Sequence, residues 1–393
     1  MRQAEAITPP SASLMSRQRA QINAPTDFGA IGRMTSMGDV SSFRADDSAA
    51  TGAPSLRAIR LWLWSVATLV FLMVLVGGAT RLTESGLSIT EWKVVTGVLP
   101  PLNEAAWLVE FEKYKQIPQY AQLFPNMEMS QFKTIFFWEW GHRILGRVIG
   151  LAFALPLAVF WLRGMVPAGL KLKLVGLLAL GGLQGAVGWW MVKSGLTGRV
   201  EVAQERLAVH LLLASITLTC LIWLAVGLKP KAAEAVRAAS RLKATAIALV
   251  VLTLAQIGLG GLVAGLRAGY TYNTWPLMDG HFIPPLENLG RLSPFWANLL
   301  DNVTTVQFNH RMTAYALFAL ALWHAFDALR NAAGTAAAKR AIVVAGLVAC
   351  QAVIGIVTLV LVVPLHVALT HQGFAMVVLA MAVVHARRMS EAA

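Results

Sequence analysis

The chain has 393 residues, of which 56% are hydrophobic and 13% are charged, and these proportions exclude an ordinary soluble domain. Its formal net charge of +13 does not indicate a nucleic-acid-binding protein, because the basic residues are dispersed between apolar segments rather than gathered into a stripe. The two cysteines, Cys220 and Cys350, lie in apolar segments, which argues against a disulfide framework or a thiolate metal site. The composition therefore indicates a membrane protein with several spans.

The N-terminal residues 1–56 are rich in Ala, Ser, Thr and Pro and show no apolar periodicity. Such a segment buries too little apolar surface to order itself, and it lacks the apolar stretch of a signal peptide. We therefore predict a disordered cytoplasmic tail over 1–56.

Eight later segments are long and apolar enough to cross about 30 Å of hydrocarbon as helices. In chain order the predicted spans are Leu61–Ala79, Phe136–Trp161, Leu172–Met191, Ala208–Leu228, Ala244–Leu266, Thr305–Leu329, Ala341–Leu361 and Leu365–Ala386. Lysines and arginines are concentrated in the short connections after the second, fourth and sixth spans and after the last span. Because positive charge favours the cytoplasmic side, we expect both termini to be cytoplasmic and the long loops, residues 80–135 and 267–304, to lie on the opposite side.

The spans form an internal repeat. The first and fifth end in a glycine pair followed by a polar loop that closes on Pro-Pro-Leu, "VGGATRLTESGLSITEWKVVTGVLPPL" and "GGLVAGLRAGYTYNTWPLMDGHFIPPL", and the third and seventh carry Gln184 and Gln351 in similar surroundings. Because each unit has an even number of spans, both units enter the membrane from the same side. The two units are therefore related as a parallel repeat, about an axis along the membrane normal. We therefore predict an all-α membrane protein of two four-helix bundles, residues 57–228 and 244–393, joined by a cytoplasmic linker, 229–243.

Four of the eight histidines recur at matching places in the two units. His142 and His310 lie in the second and sixth spans, and His210 and His371 lie in the fourth and eighth. Two imidazoles at one depth on facing helices can hold a planar haem by both axial positions. A zinc or copper site, the competing interpretation, would require three or four converging ligands. His281, His324, His366 and His385 are assigned no ligand role; His366 lies five residues before His371 and so points away from the face of that residue.

Glu139 lies three residues before His142, on the same helical face, whereas the second unit has Gln307 three residues before His310. An ionisable group beside one ligand pair indicates that oxidation chemistry takes place in the first unit. The alternative is that Glu139 only pairs with Arg143 or caps the start of the helix. Arg143, Arg147 and Arg311 are candidate partners for haem propionates, or else interfacial arginines whose stems lie along lipid.

Several segments together resemble haem A synthase, in the form shared by alphaproteobacteria and mitochondria. They include "GGATRLTESGLSITEWKVVTGVLPPLNEAAW", "EFEKYKQIPQY", "FKTIFFWEWGHRILGRVIG", "GGLQGAVGWWMVKSGL", "RLAVHL", "NTWPLMDG", "FNHRMTAY" and "THQG". The resemblance implies an inner-membrane enzyme that oxidises a methyl group of haem O to the formyl group of haem A and passes the product to cytochrome c oxidase. Haem O synthase and oxidase assembly factors are then the expected partners, and self-association is left open.

The resemblance also implies residue roles. The family's invariant histidines fall on His142, His210, His310 and His371, and its catalytic glutamate falls on Glu139. It places haem O between His142 and His210 and haem b between His310 and His371, with both sites towards the periplasm. Some members carry a cysteine pair in an outer loop, which this chain lacks.

Two other classes remain as alternatives. A dihaem electron carrier of the cytochrome b type fits the paired histidines, but such carriers place haems near both membrane faces. A transporter built from parallel repeats fits the topology, but it should have polar groups near the midplane.

Overall fold

Long α-helices dominate this computed structural model, which describes residues 42–92, 96–229 and 236–392. Within those ranges the chain forms no β-strand, and short 3-10 turns interrupt the loops. The helices are α1 (Ser42–Leu82), α2 (Glu104–Lys115), α3 (Pro118–Leu123), α4 (Met129–Leu162), α5 (Ala168–Gly195), α6 (Gln204–Gly227), α7 (Ala239–Gly265), α8 (Leu286–Leu289), α9 (Asn298–Asp301), α10 (Val303–Asn331), α11 (Ala336–Val360) and α12 (Leu365–Ala392).

The prediction of eight membrane-spanning helices is confirmed, since α1, α4, α5, α6, α7, α10, α11 and α12 are long and apolar enough to cross a bilayer. Several begin earlier than predicted, because a helix starts at its capping residue rather than at its first apolar residue. Glu128 and Gln131 form a capping box at the start of α4. Asn302 caps α10 and Thr335 caps α11 through their side chains.

The predicted tail and linker lie partly outside the described residues. Residues 1–41 lie outside the described residues and α1 begins at Ser42, so the disordered tail over 1–56 stays a prediction. Of the linker, 230–235 lie outside the described residues, and α7 begins at Ala239. Ser48–Ala393 form one compact unit, to which the remaining description applies.

The largest apolar core occupies one end of the long helices, and the histidines occupy the other. Fully buried core side chains include Leu63 on α1, Leu221 on α6 and Leu379 on α12. The nearest buried core residues lie three to eight residues from the site on these helices: Val74 from Gly77, Met376 from His371 and Leu218 from His210, or about 5 to 12 Å along the axis. The solid core therefore fixes the helices at one end, while the histidine end can enclose a cavity.

The two predicted units contact each other along α6 and α7 and along α1 and α12. Gly261 of α7 allows the first contact, because a β-carbon there would lie 2.8 Å from Cα of Ala208. Gly78 of α1 allows the second, because a β-carbon there would overlap the amide of Gln372, whose Nε2 donates to the carbonyl of Val74 at 2.8 Å. Small residues at such crossings let helix backbones approach closely. The division into two separate bundles stays a prediction.

Candidate functional site

All four predicted histidines lie at one end of the helices, and each packs against a glycine of a neighbouring helix. A β-carbon at any of these glycines would lie 2.8 to 3.3 Å from the ring, closer than an unstrained contact. The pairs are His142 with Gly77, His210 with Gly188, His310 with Gly260 and His371 with Gly355. The first glycine of each glycine pair, Gly77 and Gly260, therefore makes room for an imidazole, whereas the second serves helix packing.

Three of the four rings also contact a glutamine amide. Gln184 Nε2 lies 3.1 Å from the carbonyl oxygen of His210 and 3.2 Å from its Nδ1. Gln256 makes the same two contacts with His310, both at 3.1 Å. Gln351 makes them with His371 at 3.0 and 3.2 Å. Within the described part of the chain, no hydrogen bond reaches the ring of His142.

His142 and His210 line one cavity of about 740 Å³ in the first unit. This volume lies within the range of small-molecule and cofactor sites. Part of its wall is backbone, because a row of glycines from α4 and α5 faces it. Those glycines are Gly146, Gly150, Gly181, Gly182 and Gly185. A glycine-lined, mainly apolar slot with two imidazoles suits a planar macrocycle held by axial ligands, so the residues present fit a haem.

In the second unit, His310 on α10 and His371 on α12 each pack against a glycine and contact a glutamine. Among the described residues, no three His, Cys, Asp or Glu side chains are grouped to share one metal ion. The available donor sets are therefore histidine pairs, which suit an iron already held by a porphyrin rather than a bare ion.

Glu139 is 3% exposed, and both of its carboxylate oxygens accept hydrogen bonds. Oε2 accepts from Ser88 Oγ at 2.7 Å and from the backbone N–H of Ile89 at 2.8 Å. Oε1 accepts from Arg143 Nη2 at 2.6 Å. Arg143 also donates to the carbonyl oxygens of Ile89 and Glu91, at 2.8 and 2.9 Å. Together Glu139 and Arg143 fasten the loop that follows α1.

Gln307 and Arg311 fasten the loop that follows α7 from the same positions; Arg311 donates to loop carbonyls as Arg143 does, but Gln307 donates where Glu139 accepts. Gln307 Nε2 donates to the carbonyl oxygens of Ala268 and Thr271, at 2.8 and 2.7 Å. Arg311 Nη2 donates to the carbonyl oxygen of Tyr272 at 2.6 Å. At the Glu139 position the first loop presents donors, which a carboxylate satisfies, and at the Gln307 position the second loop presents acceptors, which an amide satisfies. The difference between Glu139 and Gln307 therefore also matches the loops that they contact.

The three arginines predicted to bind propionates lie near the histidines. Arg143 and Arg147 line the cavity. Arg311 is buried among the loop carbonyls, and its Nε has no hydrogen-bond partner among the described residues. Their role towards a ligand stays a prediction.

A group of four charged residues, which the sequence did not reveal, joins the ends of the helices beside the cavity. Arg81 contacts Glu84 at 3.2 Å and Glu201 at 2.6 Å, and Arg267 contacts Glu84 at 2.5 Å and also pairs with Glu201. Burial raises the pKa of the Glu84 carboxyl, and the charge of Arg81 opposes that rise. Three of the four residues, Arg81, Glu84 and Glu201, also line the cavity, so the network forms part of its rim.

Two histidines that were assigned no role form a buried pair at the core end. Nε2 of His324 lies 2.7 Å from Nε2 of His385, and Nδ1 of His324 lies 2.6 Å from Oγ1 of Thr245. Both rings are at most 1% exposed. Because they lie 61 residues apart in the sequence, no local pattern could have identified the pair.

Comparison with known proteins gives one family and several close relatives. The family model described as cytochrome oxidase assembly protein, COX15-CtaA, matches residues 60–383. A protein of Beijerinckia indica named haem A synthase is 60% identical over 336 residues, which cover 85% of this chain and 94% of that protein. A haem A synthase of Azorhizobium caulinodans is 57% identical over 86% of this chain and 97% of its own length. One of Methylobacterium sp. (strain 4-46) is 59% identical over 84% and 91%.

Proposed function

The chain belongs to the COX15-CtaA family of cytochrome oxidase assembly proteins, and from this membership we propose that it acts as a haem A synthase. It oxidises a methyl group of haem O, in successive steps, to the formyl group of haem A. The relatives that carry this name are 56–60% identical to the chain, and the match to the family model, residues 60–383, includes both histidine pairs. The product serves the assembly of cytochrome c oxidase, which the family description supports.

The first unit is proposed to bind the substrate, with His142 and His210 as axial ligands of haem O or haem A. The observation that carries this assignment is the cavity of about 740 Å³ lined by both imidazoles together with Glu139. Its apolar, glycine-rich walls exclude water from the reacting methyl group. Arg143 and Arg147 line the same cavity and are placed to bind the propionates by charge-assisted hydrogen bonds.

Glu139 is proposed as the catalytic residue. Its Oε2 accepts from the hydroxyl of Ser88, which can turn to accept a hydrogen bond instead, so this oxygen can take up a proton without movement of the backbone. The ion pair between Oε1 and Arg143 holds the carboxyl at the cavity wall. Glu139 thus orients water or accepts a proton while it continues to fasten the loop.

The second unit is proposed to hold haem b as a resident cofactor, with His310 and His371 as ligands. A haem with two histidine ligands supplies reversible one-electron transfer. The paired rings, each packed against a glycine and contacted by a glutamine, support a permanent site. Replacing His371 with Met should deplete or shift the b-type absorption while haem O still binds. An unchanged b-type spectrum would place haem b elsewhere.

The proposed location is the cell inner membrane, with both termini cytoplasmic and the haem sites towards the periplasm. The distribution of positive charge in the short connections supports this orientation. Haem O synthase is the proposed source of substrate.

Haem extracted from cells that produce this chain together with haem O tests the function. Chromatography should detect haem A in these cells and none in cells that lack the chain. Haem B alone in the purified protein would instead favour a dihaem electron carrier, and absence of any haem would favour a transporter.

A further inference from the structure

The histidine contacts follow a short sequence pattern that occurs three times. A glutamine precedes the glycine beneath the ring by four residues, in "QGAVG" from Gln184, "QIGLG" from Gln256 and "QAVIG" from Gln351. Residues four apart lie on the same face of a helix. The glycine therefore makes room for the ring, and the glutamine one turn away reaches the same histidine. We call each such glutamine and glycine pair a seat.

In a seat, the amide holds the ring without using its ligand nitrogen. Gln256 Nε2 lies 3.1 Å from Nδ1 and 3.2 Å from Nε2 of His310. These nitrogens flank a single ring carbon, so an amide nearly equidistant from both must lie over the ring face rather than in its plane. The amide is fixed by its bond to the carbonyl oxygen of the same histidine. The ring is thereby clamped between amide and glycine, and its nitrogens stay available.

His142 has the glycine but lacks the glutamine. The position four residues before Gly77 is Met73, whose thioether has no hydrogen to donate. Met73 Cε points towards α4, where it would lie 3.5 Å from a β-carbon at Gly146. In the part of the chain that the structure describes, no side chain is hydrogen-bonded to the ring of His142.

The His142 ring is also turned differently from the other three. The atoms of His142 nearest Gly77 are Nε2 and Cδ2, at 3.2 and 3.5 Å from a β-carbon there. The three seated rings instead present Cε1 to their glycine, at 2.8 to 3.3 Å. Nε2 of His142 therefore lies closer to the glycine beneath its ring than Nε2 of His210 or His371 does, at 3.2 Å against 3.6 Å from the β-carbon position, and the ring would have to turn to give this nitrogen the orientation of the seated rings.

We propose that the seats make His210, His310 and His371 fixed ligands, and that the missing seat makes His142 the exchangeable ligand, whose ring turns when the substrate haem binds and leaves. Gln184, Gln256 and Gln351 are then positioning residues. This inference rests on the proposed function, because a substrate site must release its haem whereas a resident cofactor site must keep it. It also explains why the second unit has two seats and the first has one.

Carbon monoxide binding to the dithionite-reduced, haem-loaded protein tests the proposal, because CO replaces an axial ligand that leaves readily. The wild-type protein should form a CO complex with the haem of the first unit. Met73→Gln supplies the missing amide and should lower the CO-bound fraction about tenfold, the scale on which such supporting contacts affect metal sites. Met73→Leu, which keeps the size without an amide, should retain the wild-type CO-bound fraction.

Gln256→Met provides the converse test, since it converts the seat of His310 into the arrangement found at His142. It should create a second CO-reactive haem without loss of haem content. An unchanged CO-bound fraction in Met73→Gln with full haem content would overturn the proposal, as would a CO-inert Gln256→Met. These spectra do not depend on turnover. A wild-type protein that binds haem and CO but makes no haem A would therefore contradict the proposed function and leave the inference about His142 standing.

Discussion

The loops that follow α1 and α7 are fastened at equivalent positions by side chains of opposite hydrogen-bonding character. Glu139 accepts from Ser88 and Ile89 in the first unit, whereas Gln307 donates to Ala268 and Thr271 in the second. A carboxylate in one repeat and an amide in the other at first indicate a catalytic difference. The contacts show that each residue also satisfies its own loop. Glu139 therefore has a structural role, and its proposed catalytic role has to be tested separately from it.

The largest expected effect comes from Glu139→Gln, which removes the ionisable group but keeps most of the fastening. The amide oxygen can still accept from Arg143, and the amide nitrogen can donate to Ser88 Oγ, but the charge of the ion pair and the bond from Ile89 N–H are lost, a cost of about 1 to 3 kcal/mol. Loss of a general acid or base typically lowers a rate by at least about a hundredfold. Haem A formation should fall by that factor, measured by chromatography, while haem content is retained.

Ser88→Ala is the matched control for this variant. It removes a different bond to the same carboxylate oxygen, Oε2, at a similar cost in stability, but it leaves the carboxyl ionisable. Haem A formation should therefore fall far less than in Glu139→Gln. Equal losses in the two variants would mean that Glu139 matters only by holding the loop.

The second prediction compares the arginines of the two loops. Arg143→Met leaves Glu139 as a buried carboxylate without its ion pair, which costs about 3 kcal/mol or more. Arg311→Met leaves the neutral Gln307 and removes bonds to loop carbonyls such as that of Tyr272, so about 1 to 2 kcal/mol should be lost. Thermal unfolding in detergent should show a clearly lower Tm for Arg143→Met.

A double variant separates the stranded charge from the lost loop contacts. Adding Glu139→Gln to Arg143→Met removes the unpaired carboxylate and should bring the Tm close to that of Arg311→Met. If the double variant is no more stable than Arg143→Met alone, the charge of Glu139 contributes little and the two loops are fastened equivalently.

The comparison of units also shows what the sequence could and could not predict. The eight spans and the four matched histidines follow from length, hydropathy and the internal repeat, which are properties of local sequence. The seats were only partly visible. Gln184 and Gln351 repeat in similar surroundings in the two units. Gln256 contacts its histidine in the same way, but its counterpart in the first unit is Met73, so a comparison of the two units does not reveal its role.

Contacts that depend on loop backbone could not be predicted. The bonds of Glu139 and Gln307 require the paths of the chain after α1 and α7, and no periodicity encodes those paths. The rim network combines Glu84, Glu201 and Arg267 from three separate loops and helix ends, and their spacing in the sequence carries no signal. Charges and amides in loops are therefore where the structure adds most to the prediction.

The smallest expected effect concerns the rim network, in which Arg267 of the second unit pairs with Glu84 and Glu201 of the first. Because burial raises the pKa of Glu84, the folded protein holds the Glu84 proton more tightly than the unfolded chain does. The contribution of this group to stability is thus fully present below the unfolded pKa, near 4.5, and is lost as pH rises through the folded pKa.

Glu84→Gln remains neutral and lacks this dependence. From pH 4 to pH 7, the Tm of the wild-type protein should therefore fall slightly relative to that of Glu84→Gln, by the equivalent of less than about 1 kcal/mol because solvent screens the partly exposed group. A relative rise would mean that the ion pairs with Arg81 and Arg267 outweigh burial, and that the rim joins the units through charge attraction.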